Sequence, residues 1–287
     1  MDIQDNLTQA IRTLTHAGIK TASLDAKILL EKAIGKDRSF ITAHGEYDLD
    51  AKEQVVFLDL LEKRRQRQPI SQIIGKKEFW GLDFEVTKDV LTPRPETEFI
   101  IEAALSLFKR DEAINILDLG TGSGCVILSL LHEFKQAKGF ACDISHSALA
   151  IAKRNAYSLD IQNAEFIHSD WCKNLDNNFF ISKLGNRGNL DLIVSNPPYI
   201  PQPERLGLDA ELSYEPENAL FAGENGFDCY ENIAIGIKDL NFKYAIFEIG
   251  INQENKIEEI FRKVNIRLIE SLKDLAGITR TLIFQKL

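Results

Sequence analysis

Hydrophobic positions over the first 75 residues recur at helical spacing. Ile3, Leu7, Ala10, Ile11 and Leu14 share one face, and Gly18 closes that run. Ser23 offers a cap for a second helix carrying Leu24, Ile28 and Ala33, with Gly35 just past its end. Asp50 offers a cap for a third, through Val55, Leu58 and Leu61, closed by Pro69. A small helical bundle for recognition or packing is expected over residues 1–75, with no visible chemistry. Its one basic cluster, Lys63-Arg64-Arg65-Gln66-Arg67, suits phosphate or an acidic partner, or simply the carboxyl end of a helix dipole.

The pattern then changes period. Phe79-Trp80-Gly81-Leu82-Asp83-Phe84-Glu85-Val86 sets aromatic and β-branched residues about a glycine, as in a hairpin, so residues 76–95 read as a β-hairpin linker. Pro93 and Pro95 stop regular structure. The acids after Pro95 suit a helix start, with Phe99–Phe108 as its apolar face. From about residue 114 strands alternate with helices. Strands are expected at Asn115–Leu119, Phe140–Cys142, Glu165–His168, Leu190–Ser195, Tyr244–Ile249, Ile266–Leu272 and Thr281–Gln285. Helices are expected at Gly124–Phe134, from the Ser145 cap to Asn155, at Phe227–Leu240 and at Gln253–Val264, and an Asn/Gly-rich loop precedes Leu190. This alternation predicts an α/β fold over 96–287, a mostly parallel sheet covered on both faces. The long segment 200–225, with Tyr214 and Pro216, is read as a substrate lid.

Composition narrows the function classes. The 287 residues include 34 basic and 43 acidic side chains, a net charge of −9. The first 75 hold 11 of each sign, so the whole excess lies in residues 76–287. That balance argues against duplex DNA or a membrane surface as the main partner and suits a basic protein loop. No apolar run approaches the roughly 18 residues of a membrane span, and Met1-Asp2-Ile3-Gln4-Asp5 lacks the basic start of a leader, so a soluble, cytoplasmic protein is expected. Cys125, Cys142, Cys172 and Cys229 form no pair motif, and the histidines have no ligand spacing; no metal is expected.

Two elements carry chemistry. Asp118-Leu119-Gly120-Thr121-Gly122-Ser123-Gly124 joins a strand to a helix, where glycines let a ligand approach the backbone and a helix N-terminus attracts an anion. Asp143 ends the next strand, where a carboxylate can accept both ribose hydroxyls. A nucleoside cofactor is implied. The G-x-G-x-G form, with Cys125 at the sixth position, departs from the nicotinamide fingerprint and favours adenosylmethionine. The second element, Ser195-Asn196-Pro197-Pro198-Tyr199, follows a strand at the ligand-binding edge. Its carbonyls and the Asn196 side chain supply acceptors for a planar –NH2, with the Tyr199 ring for its face. That suits N-methylation of an amide or aromatic amine.

Together these segments resemble the PrmC/HemK family of class I, Rossmann-like methyltransferases. The resemblance runs through Glu78-Phe79-Trp80-Gly81, Pro93-Arg94-Pro95-Glu96-Thr97-Glu98, Ser169-Asp170-Trp171, Glu248 to Gln253 and Asp274 to Arg280. It implies a seven-stranded sheet and methyl transfer from S-adenosyl-L-methionine to the glutamine amide N5 in the Gly-Gly-Gln motif of peptide chain release factors. By the same resemblance, Gly120, Thr121, Gly122, Ser123 and Gly124 hold the methionine end, Asp143 the ribose, and Trp171 lies beside the adenine. Asn196, Pro197, Pro198 and Tyr199 bind the glutamine amide, with Asn196, Pro197 and Tyr199 in catalysis and Asn196 also near the cofactor. The alternatives are glutamine methylation of a ribosomal protein, adenine-N6 methylation of nucleic acid, or a binding module that kept the fold.

Overall fold

Successive strand residues enter opposite hydrophobic layers. In the computed structural model, which describes residues 1–185 and 188–287, Leu117, Leu119, Phe140, Cys142, Ala245 and Phe247 pack on one face. Ile116, Ala141, Ile246 and Ile283 pack on the other. This two-residue period is what a strand buried on both sides requires.

The strands are β1 (Lys76–Phe79), β2 (Leu82–Glu85), β3 (Asn115–Leu119), β4 (Lys138–Asp143), β5 (Ala164–His168), β6 (Leu190–Ser195), β7 (Phe242–Glu248), β8 (Ile266–Lys273) and β9 (Thr279–Lys286). β1 and β2 form a hairpin whose turn residues, Trp80 and Gly81, both have positive φ, as a tight two-residue turn demands. The other seven form one sheet in the order β5-β4-β3-β6-β7-β9-β8, parallel except at β9. Chain order reverses between β3 and β6, which are neighbours. Open α/β sheets bind ligands at such a switch point, beyond the strands' carboxyl ends.

Contacts divide the chain into a helical unit, Met1–Lys76 with Asp209–Tyr214, and a sheet unit, Lys77–Leu208 with Glu215–Leu287. In the helical unit, the helices Ile3–His16, Ala22–Ile34 and Ala51–Arg65 bury Ala10, Leu14, Ala26, Leu29, Leu30 and Phe57. Gly35 ends the second helix in the left-handed conformation. Several expectations need correction. Ser23 lies inside its helix, and Thr21 occupies the capping position, with its hydroxyl on Asp25. The Asp50 cap holds, joined by Glu53 in a reciprocal capping box. The buried face of that helix, however, is Phe57, Leu60 and Leu61, while Val55 and Leu58 face solvent. Short helices at Arg38–Ala43 and Ile70–Ile74 were not foreseen, being too brief to show a period.

The basic cluster is taken up by internal partners. Arg64, buried, donates from Nε to Asp25 at 2.7 Å and pairs with Glu211. Arg67 donates to Glu211 at 2.7 Å and to the carbonyls of Ala17 and Gly18. Lys63 pairs with Asp59 and Arg65 with Glu62. Arg64 and Arg67 are thus engaged within the helical unit, while Lys63 and Arg65 stay about half exposed. In the sheet unit, part of the expected loop before Leu190 is helix, Asn177–Leu184, capped by Asp176 and anchored by buried Phe180 against Phe140. Asn186 and Arg187, in the rest of that loop, lie outside the described residues.

Candidate active site

The glycine loop is shaped by its backbone. Gly120, Gly122 and Gly124 have φ of 74°, 56° and 81°, a region that other residues enter at a cost. Gly120 and Thr121 both donate to the Cys142 carbonyl at 2.9 Å, folding the loop over β4. A Cβ on Gly120 would meet the Trp171 ring at 3.4 Å, whereas one on Gly122 would meet nothing within 4 Å. The backbone at Gly122 thus stays open to a ligand. Asp143 accepts from Gly122 N–H at 2.9 Å and from Ser145 N–H at 2.8 Å. Burial raises its carboxyl above the ordinary value, and those two N–H groups oppose the rise. Asn155, buried on the helix His146–Ser158, donates to the carbonyls of Ser123 and Glu85 and accepts from Glu85 N–H. It therefore ties the loop to the hairpin.

Beside the loop lies a cavity of about 280 Å³, near the lower end for small-molecule clefts. Gly120, Thr121, Gly122, Ser123, Asp143 and Trp171 line it, as do Asn196 and Pro198. Gly124, Pro197 and Tyr199 stand off its wall. Trp171 holds a φ of 49°, strain of the kind that collects at functional sites. Asp118 also reaches the cavity. Burial drives its carboxyl up to about 7, against a 2.6 Å hydrogen bond from the Thr121 hydroxyl.

The Asn-Pro-Pro-Tyr segment leaves β6 next to β3. The buried Ser195 hydroxyl donates to the Leu119 carbonyl at 2.6 Å and fixes that exit. Asn196 donates from Nδ2 to the Thr97 hydroxyl oxygen at 3.0 Å. The Tyr199 hydroxyl meets Glu248 Oε1 at 3.4 Å, and burial pushes that phenol well up, keeping it neutral. Gln253 donates to the Tyr199 carbonyl and accepts from Gly250 N–H, both at 3.0 Å. Beyond Tyr199 the chain turns back, with Ile200 and Ala222 exchanging hydrogen bonds with Leu220 and Ile200. Pro216, Asn218, Ala219 and Phe221 then close one side of the cavity.

Comparison with known proteins gives a concordant result. Residues 5–75 match the family model described as the PrmC N-terminal domain, and residues 100–220 match the methyltransferase small domain. The release factor glutamine methyltransferase of Caulobacter vibrioides is 38% identical over 280 residues, covering 96% of this chain and 93% of the relative. The chain belongs to the release factor glutamine methyltransferase family. A Coxiella burnetii protein of the same name is 36% identical, covering 98% and 96%. The crystal structure of the hMettl16 catalytic domain, in complex with MAT2A 3′UTR hairpin 1, aligns with a TM-score of 0.57 over 82% of this chain and 80% of that one. At 14% identity it shows a shared fold.

In this family member several residues at the site escaped the sequence reading of roles. Thr97 sits in a prolyl turn and was given no role of its own, and Gln253 entered only as a helix start. Glu248 was visible as a strand end, but not as a buried carboxyl raised to about 7 by burial. Arg94 pairs with buried Glu215 at 2.8 Å, and Glu98 accepts from Trp80 N–H at 2.9 Å, so both brace neighbouring segments. The cysteines are free, and burial pushes Cys125 and Cys172 up to about 12, which leaves them poor nucleophiles at neutral pH. Among the described residues, no helix is long and apolar enough to cross a membrane.

Proposed function

We propose that this protein transfers a methyl group from S-adenosyl-L-methionine to the side-chain amide nitrogen of the glutamine in the Gly-Gly-Gln motif of peptide chain release factors. The observation that carries this reading is the presence of Asn196 on the same cavity wall as the glycine loop and Asp143. Family membership supports the choice of substrate. The helical unit is proposed to recognise the release factor.

The residues fit the cofactor. The open backbone at Gly122 and its neighbours Gly120, Thr121, Ser123 and Gly124 would hold the methionine end. Asp143 keeps lone pairs for the ribose hydroxyls beyond its two backbone bonds. Trp171 offers a flat wall for the adenine. Asp118, a carboxyl pressed toward neutrality, would ionise readily beside a cationic ligand. When bound, adenosylmethionine supplies the methyl as a sulfonium electrophile.

The chain's own residues prepare the nucleophile. An amide nitrogen is weak because its lone pair is delocalised. Acceptors at Asn196 and Pro197 would hold the two N–H hydrogens while the C–N bond twists and the lone pair localises. The Tyr199 ring would lie against the face of the amide, and Pro198 stiffens the segment. Orientation of this kind supplies part of the roughly 7–11 kcal/mol available from positioning. The surplus proton needs no strong base, since the alkylated nitrogen is acidic.

Transfer of labelled methyl to purified release factor tests this reading, with a factor carrying Ala in place of the target Gln as control. Incorporation into the wild-type factor alone is expected. Transfer only to ribosomal protein or RNA, run in parallel, would overturn it.

A further inference from the structure

The Asn196 side chain can present either its oxygen or its NH2 group to the cavity, and only the oxygen can accept from a substrate amide N–H. Something must choose between the two. Thr97, which is 2% exposed, stands behind Asn196 and accepts from its Nδ2 at 3.0 Å. A hydroxyl can also donate, and a Thr97 that donated to Asn196 would turn the amide around. In the structure Thr97 accepts and Asn196 donates, which sets the orientation.

We propose that Thr97 is a positioning residue: by accepting from Asn196 Nδ2 it commits Asn196 Oδ1 to the substrate. This deepens the reading of the cavity as a glutamine-amide site and rests on it. The pair joins two elements, the turn Pro95–Thr97 and the exit of β6.

Thr97→Val keeps the shape of the side chain and removes both hydrogen-bonding functions, and Thr97→Ser restores them. In methyl transfer to release factor, Thr97→Val should lower kcat by about 10- to 100-fold, the loss expected for a misplaced reacting group, with little change in adenosylmethionine Kd by calorimetry. Thr97→Ser should return kcat to within about 3-fold of wild type, with its hydrogen bonds restored. The second measurement needs no substrate. The Asn196 side-chain amide signal of 15N-labelled protein, identified by its absence in Asn196→Ala, should move in Thr97→Val and stay in Thr97→Ser. Unchanged kcat in Thr97→Val, an unmoved Asn196 signal, or equal loss of cofactor binding and turnover would each overturn the proposal. An active-site signal that moves as expected in a wild-type protein inert toward release factor would instead sink the substrate reading and leave the orientation of Asn196 standing.

Discussion

Asn196 and Asp143 share one cavity but face different tasks. Asn196→Ala should reduce methyl transfer by about 100-fold or more, as loss of an oriented acceptor does, while calorimetry still detects the cofactor. Asp143→Ala should weaken cofactor binding first, because it loses the ribose acceptor and frees the Gly122 N–H. Equal loss of binding in both variants would contradict these roles. Glu248 gives a test by pH. Burial raises its carboxyl from 4.5 to about 7, opposed by the Thr97 and Tyr199 hydroxyls and by Arg280, and reinforced by Glu96. Between those values the unfolded chain loses a proton that the native chain keeps, so its contribution to stability falls as pH rises from about 4.5 to about 7 and is level above. The span is on the order of 3 kcal/mol. Glu248→Gln should therefore gain on wild type across that window in urea midpoints. A difference independent of pH would refute the assignment.

Individual elements are fixed by partners distant in sequence. The helix Ala51–Arg65 is pinned to Ala22–Ile34 through Arg64 and Asp25, whose side chains are only 7% and 3% exposed. Removing one member of such a pair strands the other charge. Arg64→Ala should cost about 3–5 kcal/mol, read as a lower urea midpoint of the full chain. An unchanged midpoint would show that Asp25 is solvated. The pair also marks a limit of sequence reading. The last turn of that helix is basic, as a helix dipole favours, and nothing local distinguishes Arg64, which is buried, from Arg65, which is 51% exposed. The strands of the sheet were legible because short apolar, β-branched runs alternate with segments of helical period. Asn177–Leu184 was not, because a cap and a loop use the same Asp and Asn residues.

Across the whole molecule, charge is segregated by position in the chain. The helical residues 1–75 are neutral, and the acidic excess of nine belongs to 76–287. A basic substrate loop would be drawn to the acidic part, and exposed charges are screened over about 10 Å at 0.1 M salt. Release factor affinity should fall steeply as salt rises from about 50 to 500 mM, mainly through a slower association rate. Binding that ignores salt would argue that apolar contact governs the encounter. Segment 209–214 belongs to the helical unit through Glu211, with Arg64 and Arg67, and through Tyr214, with Gln66 and Gln72. It lies between Tyr199 and the cavity-lining residues Pro216 to Phe221 in the chain.

By itself the sequence determined where most of the long elements lie, the glycine loop that turns β3 into a helix, the acid that ends β4 and the Asn-Pro-Pro-Tyr exit of β6. These are local features, since backbone freedom at Gly120, Gly122 and Gly124 and rigidity at Pro197 and Pro198 belong to the residues themselves. Tertiary structure alone decided which polar groups meet. Thr97 and Asn196 are 99 residues apart, Tyr199 and Glu248 are 49 apart, and Arg64 and Glu211 are 147 apart. A hydroxyl, a carboxyl or a guanidinium has no fixed role until burial removes water as its partner. Only then must each donor find one acceptor, and that pairing orients the site.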